Sequence, residues 1–212
     1  MSIHAYFKSL MKLERIVRCP GEFKMESHNV SSHSWKVAQY CQFLGEVEEQ
    51  HGANINWKSL YEKAINHDYA EIFIGDIKTP VKYASVELRN LLQQVEEGMT
   101  KQFVDTEFPE QFRQLYHEKL KEGKDTTLEG MILTVADKMD QVYEAFTEIQ
   151  KGNSQPAFII MYQDALKAIR KIPLKCVEYF LDVVLEDMIN DETIASVDIK
   201  QITGEALKNS SI

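Results

Sequence analysis

The spacing of apolar residues constrains this chain more than any other feature. Leu128, Ile132, Val135, Met139, Val142, Phe146 and Ile149 are separated by alternating threes and fours, which marks one face of a long helix. The same period recurs along the chain, and the strict alternation of a half-buried strand is nearly absent. The spacing predicts helices over about 3–17, 32–50, 57–71, 85–104, 109–122, 127–150, 156–171 and 173–190, with a short one near 199–208. Breakers fall between them: Pro20-Gly21, Gly52, Gly75 with Pro80, Pro109, Gly123, Gly152 with Pro156, and Pro173. Ser32 is the expected N-cap of the second helix, and Asp125 or Thr126 that of the sixth. With no repeat, low-complexity tract or linker in view, the expectation is one all-α domain.

Composition narrows the class of function. A chain of 212 residues with 44% hydrophobic and 10% aromatic side chains can bury a real core. Its net charge of -9 argues against a surface for nucleic-acid polymers, whose binders draw affinity from clustered Lys and Arg. A small anionic substrate, which needs only a local cation or two, is still allowed. Cys19, Cys41 and Cys176 are far apart and form no Cys-x-x-Cys, so a reduced, cytoplasmic setting is expected. The N-terminus lacks an apolar signal core. The most apolar piece, Val177 to Ile189, is interrupted by Glu178, Asp182, Glu186 and Asp187, so no membrane span is expected.

Against this background His67-Asp68 stands out. The apolar stripe Trp57, Leu60, Tyr61, Ala64, Ile65 continues at helical spacing into His67, Asp68, Glu71 and Ile72. Ionisable groups on a core-facing stripe are costly unless partnered, and a metal ion is one such partner. His33 lies on another inward stripe, with Val37, Tyr40, Cys41 and Leu44 following it. Taken alone, an inward histidine is more often a hydrogen-bonded core residue than a ligand. Together, two imidazoles and a carboxylate suit a first-row divalent metal. Two polar loops border the cluster, Arg18 to Ser32 and Gly75 to Pro80, and such loops are natural places for substrate contacts.

At this point the chain resembles a known group. His33…His67-Asp68…Asp137 is similar to the H…HD…D ligand set of the all-α HD-domain metal-dependent phosphohydrolase superfamily. The nearer likeness is to its YfbR-like branch, the bacterial 5'-deoxynucleotidases. The segments that carry it are Arg15 to Pro20, Asn29 to Ser34, His67 to Glu71, Gly75 to Tyr83, and Ala136-Asp137. The resemblance implies a single HD-domain helical bundle over residues 1–212, with a metal-site core at about 15–150 and a C-terminal helical extension at about 156–208.

It further implies that His33, His67, Asp68 and Asp137 hold one divalent transition metal, with Mn, Co, Fe, Ni and Zn all open. Glu71, grouped with Asp68 as the catalytic carboxylates, is expected to deprotonate or orient water. Arg18 would clamp phosphate, while Asp76, Thr79 and Lys78 would face the rest of the substrate. The implied reaction is hydrolysis of a nucleoside 5'-monophosphate to nucleoside and phosphate. A homodimer is an option, since family members commonly dimerise. Asp137 comes from the resemblance only; by periodicity it lies opposite the Leu128–Ile149 stripe and reads as a solvated carboxylate. Where the family has Trp after the arginine this chain has Cys19, and Lys78 replaces a usual Pro. Two alternatives remain at this level. One is an HD phosphohydrolase acting on another ester, such as a nucleoside di- or triphosphate or an alarmone. The other is an inactive regulator that binds a nucleotide.

Overall fold

The computed structural model describes residues 3–82, 84–121, 123–191 and 197–208. Tyr83, part of one resemblance segment, lies outside the described residues. The helices are α1 (His4–Leu13), α2 (Val30–Gln50), α3 (Trp57–Asn66), α4 (Glu71–Ile74), α5 (Thr79–Lys82), α6 (Val86–Glu107), α7 (Glu110–Lys119) and α8 (Leu128–Gln150). They are followed by α9 (Pro156–Arg170), α10 (Lys175–Tyr179), a π-helical turn (Phe180–Val184), α11 (Leu185–Asn190) and α12 (Ile199–Lys208). Among the described residues there is no strand, only one isolated antiparallel bridge between Val17 and Asn29. The all-α expectation holds.

Several boundaries moved, each for a local reason. The second helix starts at Val30, because Asn29 caps it: its side-chain oxygen accepts the Ser32 N–H at 2.8 Å. Ser32, the expected cap, lies inside the first turn and donates its hydroxyl to the Asn29 carbonyl. Thr127, not Asp125 or Thr126, caps α8 by accepting the Gly130 N–H at 3.1 Å. Asp125 instead accepts the Thr127 N–H at 3.0 Å, shaping the turn before the cap. The expected helix over 173–190 begins at Lys175 and contains the π turn. The expected helix 57–71 stops at Asn66, and His67 to Ala70 form a turn before α4.

The chain forms two compact units. The first comprises the described residues of Met1–Glu22, Ser27–Trp35 and Glu62–Gly123. Its core gathers Leu13, Val30, Tyr69, Val104, Phe108 and Leu120, with Tyr6, Phe73, Phe103 and Tyr116 packed against them. Rings meet edge-on or tilted throughout, as between Tyr6 and Phe108 (5.1 Å) and Phe108 and Tyr116 (4.3 Å). Such contacts add to the area term of burial.

The second unit comprises Phe23–Glu26, Lys36–Tyr61 and the described residues of Lys124–Ile212. Here α8 packs against α9, and α9 against α12. Gly45 is required where α2 meets the start of α3: a Cβ there would stand 2.7 Å from the Trp57 ring. The expected apolar stripe of α8 is buried from Ile132 through Ile149, but so are Asp137, Asp140, Glu144 and Glu148 on its other side. The helix is enclosed nearly all round, which corrects the reading of its polar face as solvated.

Candidate metal centre

His67 is placed by the end of α3. Leu60 and Ala64 are fully buried, and His67 continues their line, while Ile65 points to solvent and leaves the expected stripe. The His67 Nδ1 lies 2.8 Å from the Ala64 carbonyl. A carbonyl only accepts, so Nδ1 carries a proton, which leaves Nε2 facing the interior as the candidate ligand atom. The next residues are pinned by Tyr69, which is buried in the aromatic core with its hydroxyl 2.7 Å from Ser9 Oγ. The turn is closed by the Tyr69 N–H to the Asn66 carbonyl and the Glu71 N–H to the Asp68 carbonyl. Gly75, at φ 76°, then ends α4, its N–H bonded to the Glu71 carbonyl. Tyr69 and Ser9 were not singled out from the sequence; an aromatic directly after an ionisable pair was the available signal.

His33 is fully buried in the first turns of α2, below Val30 and above Val37. Its Nε2 lies 3.1 Å from the His67 Nε2, and both nitrogens lie 3.2 Å from Asp68 Oδ2. Ligand atoms about 2.0–2.1 Å from one ion stand about 2.9–3.4 Å apart at right-angled to tetrahedral geometry. The spacing therefore fits a divalent ion. Chemistry agrees, since a histidine whose Nδ1 is committed to a carbonyl offers Nε2 as a ligand. Among the described residues, His33, His67 and Asp68 form the group able to hold a metal.

Arg18 joins this group. It is buried at 6% exposure, with Nη1 3.8 Å from Asp68 Oδ2. Its loop is closed onto the entrance of α2 by the Arg18 N–H to the His28 carbonyl and the Val30 N–H to the Ile16 carbonyl. Cys19-Pro20-Gly21-Glu22 is a turn with Gly21 at φ 82°, the residue pattern of type II.

Glu71 is half-buried, and its Oε2 is enclosed with no hydrogen-bond partner among the described residues. Burial first, then the Asp68 and Asp76 carboxylates, push its carboxyl well above the usual carboxylate range, while Arg18 and His33 pull it back. An enclosed carboxylate oxygen without a donor is what a nearby cation or water would satisfy.

The remaining residues of the expected site divide. Asp76 Oδ2 accepts the Cys19 N–H at 2.7 Å. Lys78 Nζ pairs with Glu22 Oε1 at 2.5 Å. Thr79 is exposed at the start of α5. Asp137 belongs to the second unit; it is 5% exposed and lies 3.0 Å from Lys124 Nζ. Burial, followed by Asp137, raises the Cys41 thiol above its ordinary range, so that cysteine is not a nucleophile.

Similarity to known proteins agrees with this geometry. An HD-domain phosphohydrolase from Listeria innocua has the same fold at a TM-score of 0.93 and 52% identity, covering 98% of this chain and 99% of its own. A 5'-deoxynucleotidase of Enterobacter sp. (strain 638) is 26% identical over 184 residues, 86% of this chain and 91% of that protein. The cyanophage S-2L HD phosphohydrolase DatZ, solved with dA and one catalytic zinc ion, shares the fold at a TM-score of 0.60 and 17% identity, covering 85% of this chain and 95% of its own. A family model described as 5'-deoxynucleotidase YfbR-like matches residues 5–188. The chain belongs to the YfbR-like 5'-deoxynucleotidase family.

Proposed function

We propose that this protein is a metal-dependent 5'-nucleotidase that hydrolyses deoxyribonucleoside 5'-monophosphates, and related ribonucleotides, to nucleoside and orthophosphate. The observation that carries the reading is the triad of buried His33 and His67 with half-buried Asp68, with the Arg18 guanidinium at its edge. His33, His67 and Asp68 would hold one divalent ion, and Asp137 is the fourth ligand by the family's pattern. Such an ion supplies Lewis acidity toward a phosphate oxygen and acidifies water. Its identity among Mn, Co, Fe, Ni and Zn is open on ligand chemistry; the zinc in DatZ belongs to that protein.

The protein's own groups do the rest. Arg18 presents a planar, permanently charged fork to the phosphate. Its burial beside Asp68 limits competing hydration and holds the phosphate against the triad. Glu71, with its raised proton affinity and its unsatisfied oxygen, orients the attacking water and takes its proton. No Ser or Cys stands as a nucleophile in this scheme, so water attacks phosphorus directly. Asp76 and Thr79 would face the nucleoside. The pairing of Lys78 with Glu22 is consistent with a monophosphate, since this loop cation is engaged within the protein and not held ready for a second phosphate.

The reading treats residues 1–212 as one HD domain, and the family match supports it by running through both units. A cytoplasmic, homodimeric protein that binds neither nucleic-acid polymer nor membrane completes the proposal. Among the described residues no helix is long and apolar enough to cross a membrane. The test is incubation of the purified protein with each divalent metal and a panel of nucleotides. Orthophosphate release from deoxynucleoside monophosphates is expected; pyrophosphate release from triphosphates, or no turnover of any ester, would reject the assignment.

A further inference from the structure

The loop that carries Arg18 is held in place by the loop after α4. Cys19 adopts φ 49°, the only positive value outside glycine among the described residues. A side chain in the left-handed region is disfavoured, so something must hold the backbone there. The Cys19 N–H donates to Asp76 Oδ2 at 2.7 Å, a short bond to a carboxylate. A second link joins the same two loops, because Lys78 pairs with Glu22 at the far end of the Cys19–Glu22 turn. Arg18 immediately precedes the left-handed residue, and its side chain is buried against Asp68. The direction of the guanidinium is therefore coupled to the peptide that Asp76 holds.

We propose that Asp76 is a positioning residue for the phosphate-binding arginine: by fixing the Cys19 N–H it maintains the left-handed turn that keeps Arg18 in the site. The inference rests on the reading of Arg18 as the phosphate clamp. It adds to Asp76 a role that involves no nucleoside contact. Glycine enters the left-handed region without penalty, so Cys19→Gly should remove the need for the Asp76 bond.

The test uses orthophosphate, which has no sugar or base, titrated calorimetrically into the full-length protein with manganese present. Asp76→Ala is expected to weaken orthophosphate binding about tenfold, the size of one charge-assisted hydrogen bond. Asp76→Asn, which keeps an acceptor, should stay near the wild type. The double variant Asp76→Ala with Cys19→Gly should recover binding to within about twofold of the wild type. Circular dichroism and thermal melts verify that each variant is folded. Unchanged orthophosphate affinity in Asp76→Ala would overturn the proposal, and so would failure of the glycine to rescue a folded protein. A deoxyadenosine titration separates the roles, since a purely nucleoside-contacting Asp76 would affect that ligand alone. Because the readout is binding and not turnover, a failed nucleotide panel would reject the substrate assignment while leaving this result to be judged by itself.

Discussion

In the second unit, three buried carboxylates meet cationic or amide donors within the fold. Asp140 is 2.7 Å from Lys36 Nζ, and Glu48 accepts the Cys176 N–H at 2.6 Å. Glu148 accepts the Met25 and Glu26 N–H groups and the Asn153 amide, at 2.7–2.9 Å. In the first unit the arrangement is different. Asp68 and Asp76 both raise the proton affinity of Glu71, the permanently charged Arg18 lowers it, and among the described residues the Glu71 Oε2 has no donor. Two histidine nitrogens and a carboxylate oxygen meet within 3.2 Å, an arrangement that a proton or a cation between them stabilises. Carboxylates held singly by donors in this way serve the architecture; carboxylates that converge with two imidazoles and a buried arginine are the candidate site.

The strongest way to break this contrast is Asp68→Ala. It should abolish metal loading and phosphatase activity while leaving the helical circular dichroism intact; metal analysis and turnover check it. Undiminished activity would show that the triad is an ordinary buried cluster.

Asp137 tests the rule from the other side, because its pairing with Lys124 puts it among the satisfied carboxylates. If it is nevertheless a ligand, Asp137→Ala loses the metal and Lys124→Met keeps it. The reverse pattern in metal content would return Asp137 to a structural role.

Glu71→Gln should retain the metal and lose about 10²–10⁴ in turnover, as removal of a general base does. The same variant reports on stability. The folded metal-free protein binds the Glu71 proton more tightly than the unfolded chain does. Stability therefore falls as pH rises from the ordinary carboxylate range toward the raised value. Glutamine cannot ionise, so the melting temperature of the metal-free variant should exceed that of the wild type by a margin that grows with pH.

Glu148→Ala should act oppositely. Stranding two backbone N–H groups and the Asn153 amide should cost about 3 kcal/mol in denaturant unfolding. Metal affinity at low temperature should be unchanged.

Much of the fold was legible because helical burial leaves a periodic trace. The Leu128–Ile149 stripe, the Pro156 start of α9 and the breaks at Gly52 and Gly152 follow from local chemistry alone. His33 and His67 were legible for the same reason, since each extends an apolar stripe on its own helix. Asp137 was not. Periodicity assigns one face of α8 to the core, whereas side chains on both faces of the helix are buried. Nor did the sequence reveal that α3 ends at Asn66, because the His67–Ala70 turn is held by Tyr69 reaching an aromatic core and Ser9, sixty residues earlier in the chain.

The sequence by itself determined an all-helical protein and the histidines and carboxylate of a candidate metal site, since helix period and ligand chemistry are properties of short segments. Only the tertiary structure decided that the His33, His67 and Asp68 ligand atoms meet within 3.2 Å, that Arg18 is buried beside them, and that Asp76 grips the Cys19 peptide. Apart from the neighbours His67 and Asp68, those contacts join residues 34–57 positions apart. Loop closure over such spans leaves no local signature, so packing alone sets where the chemistry converges.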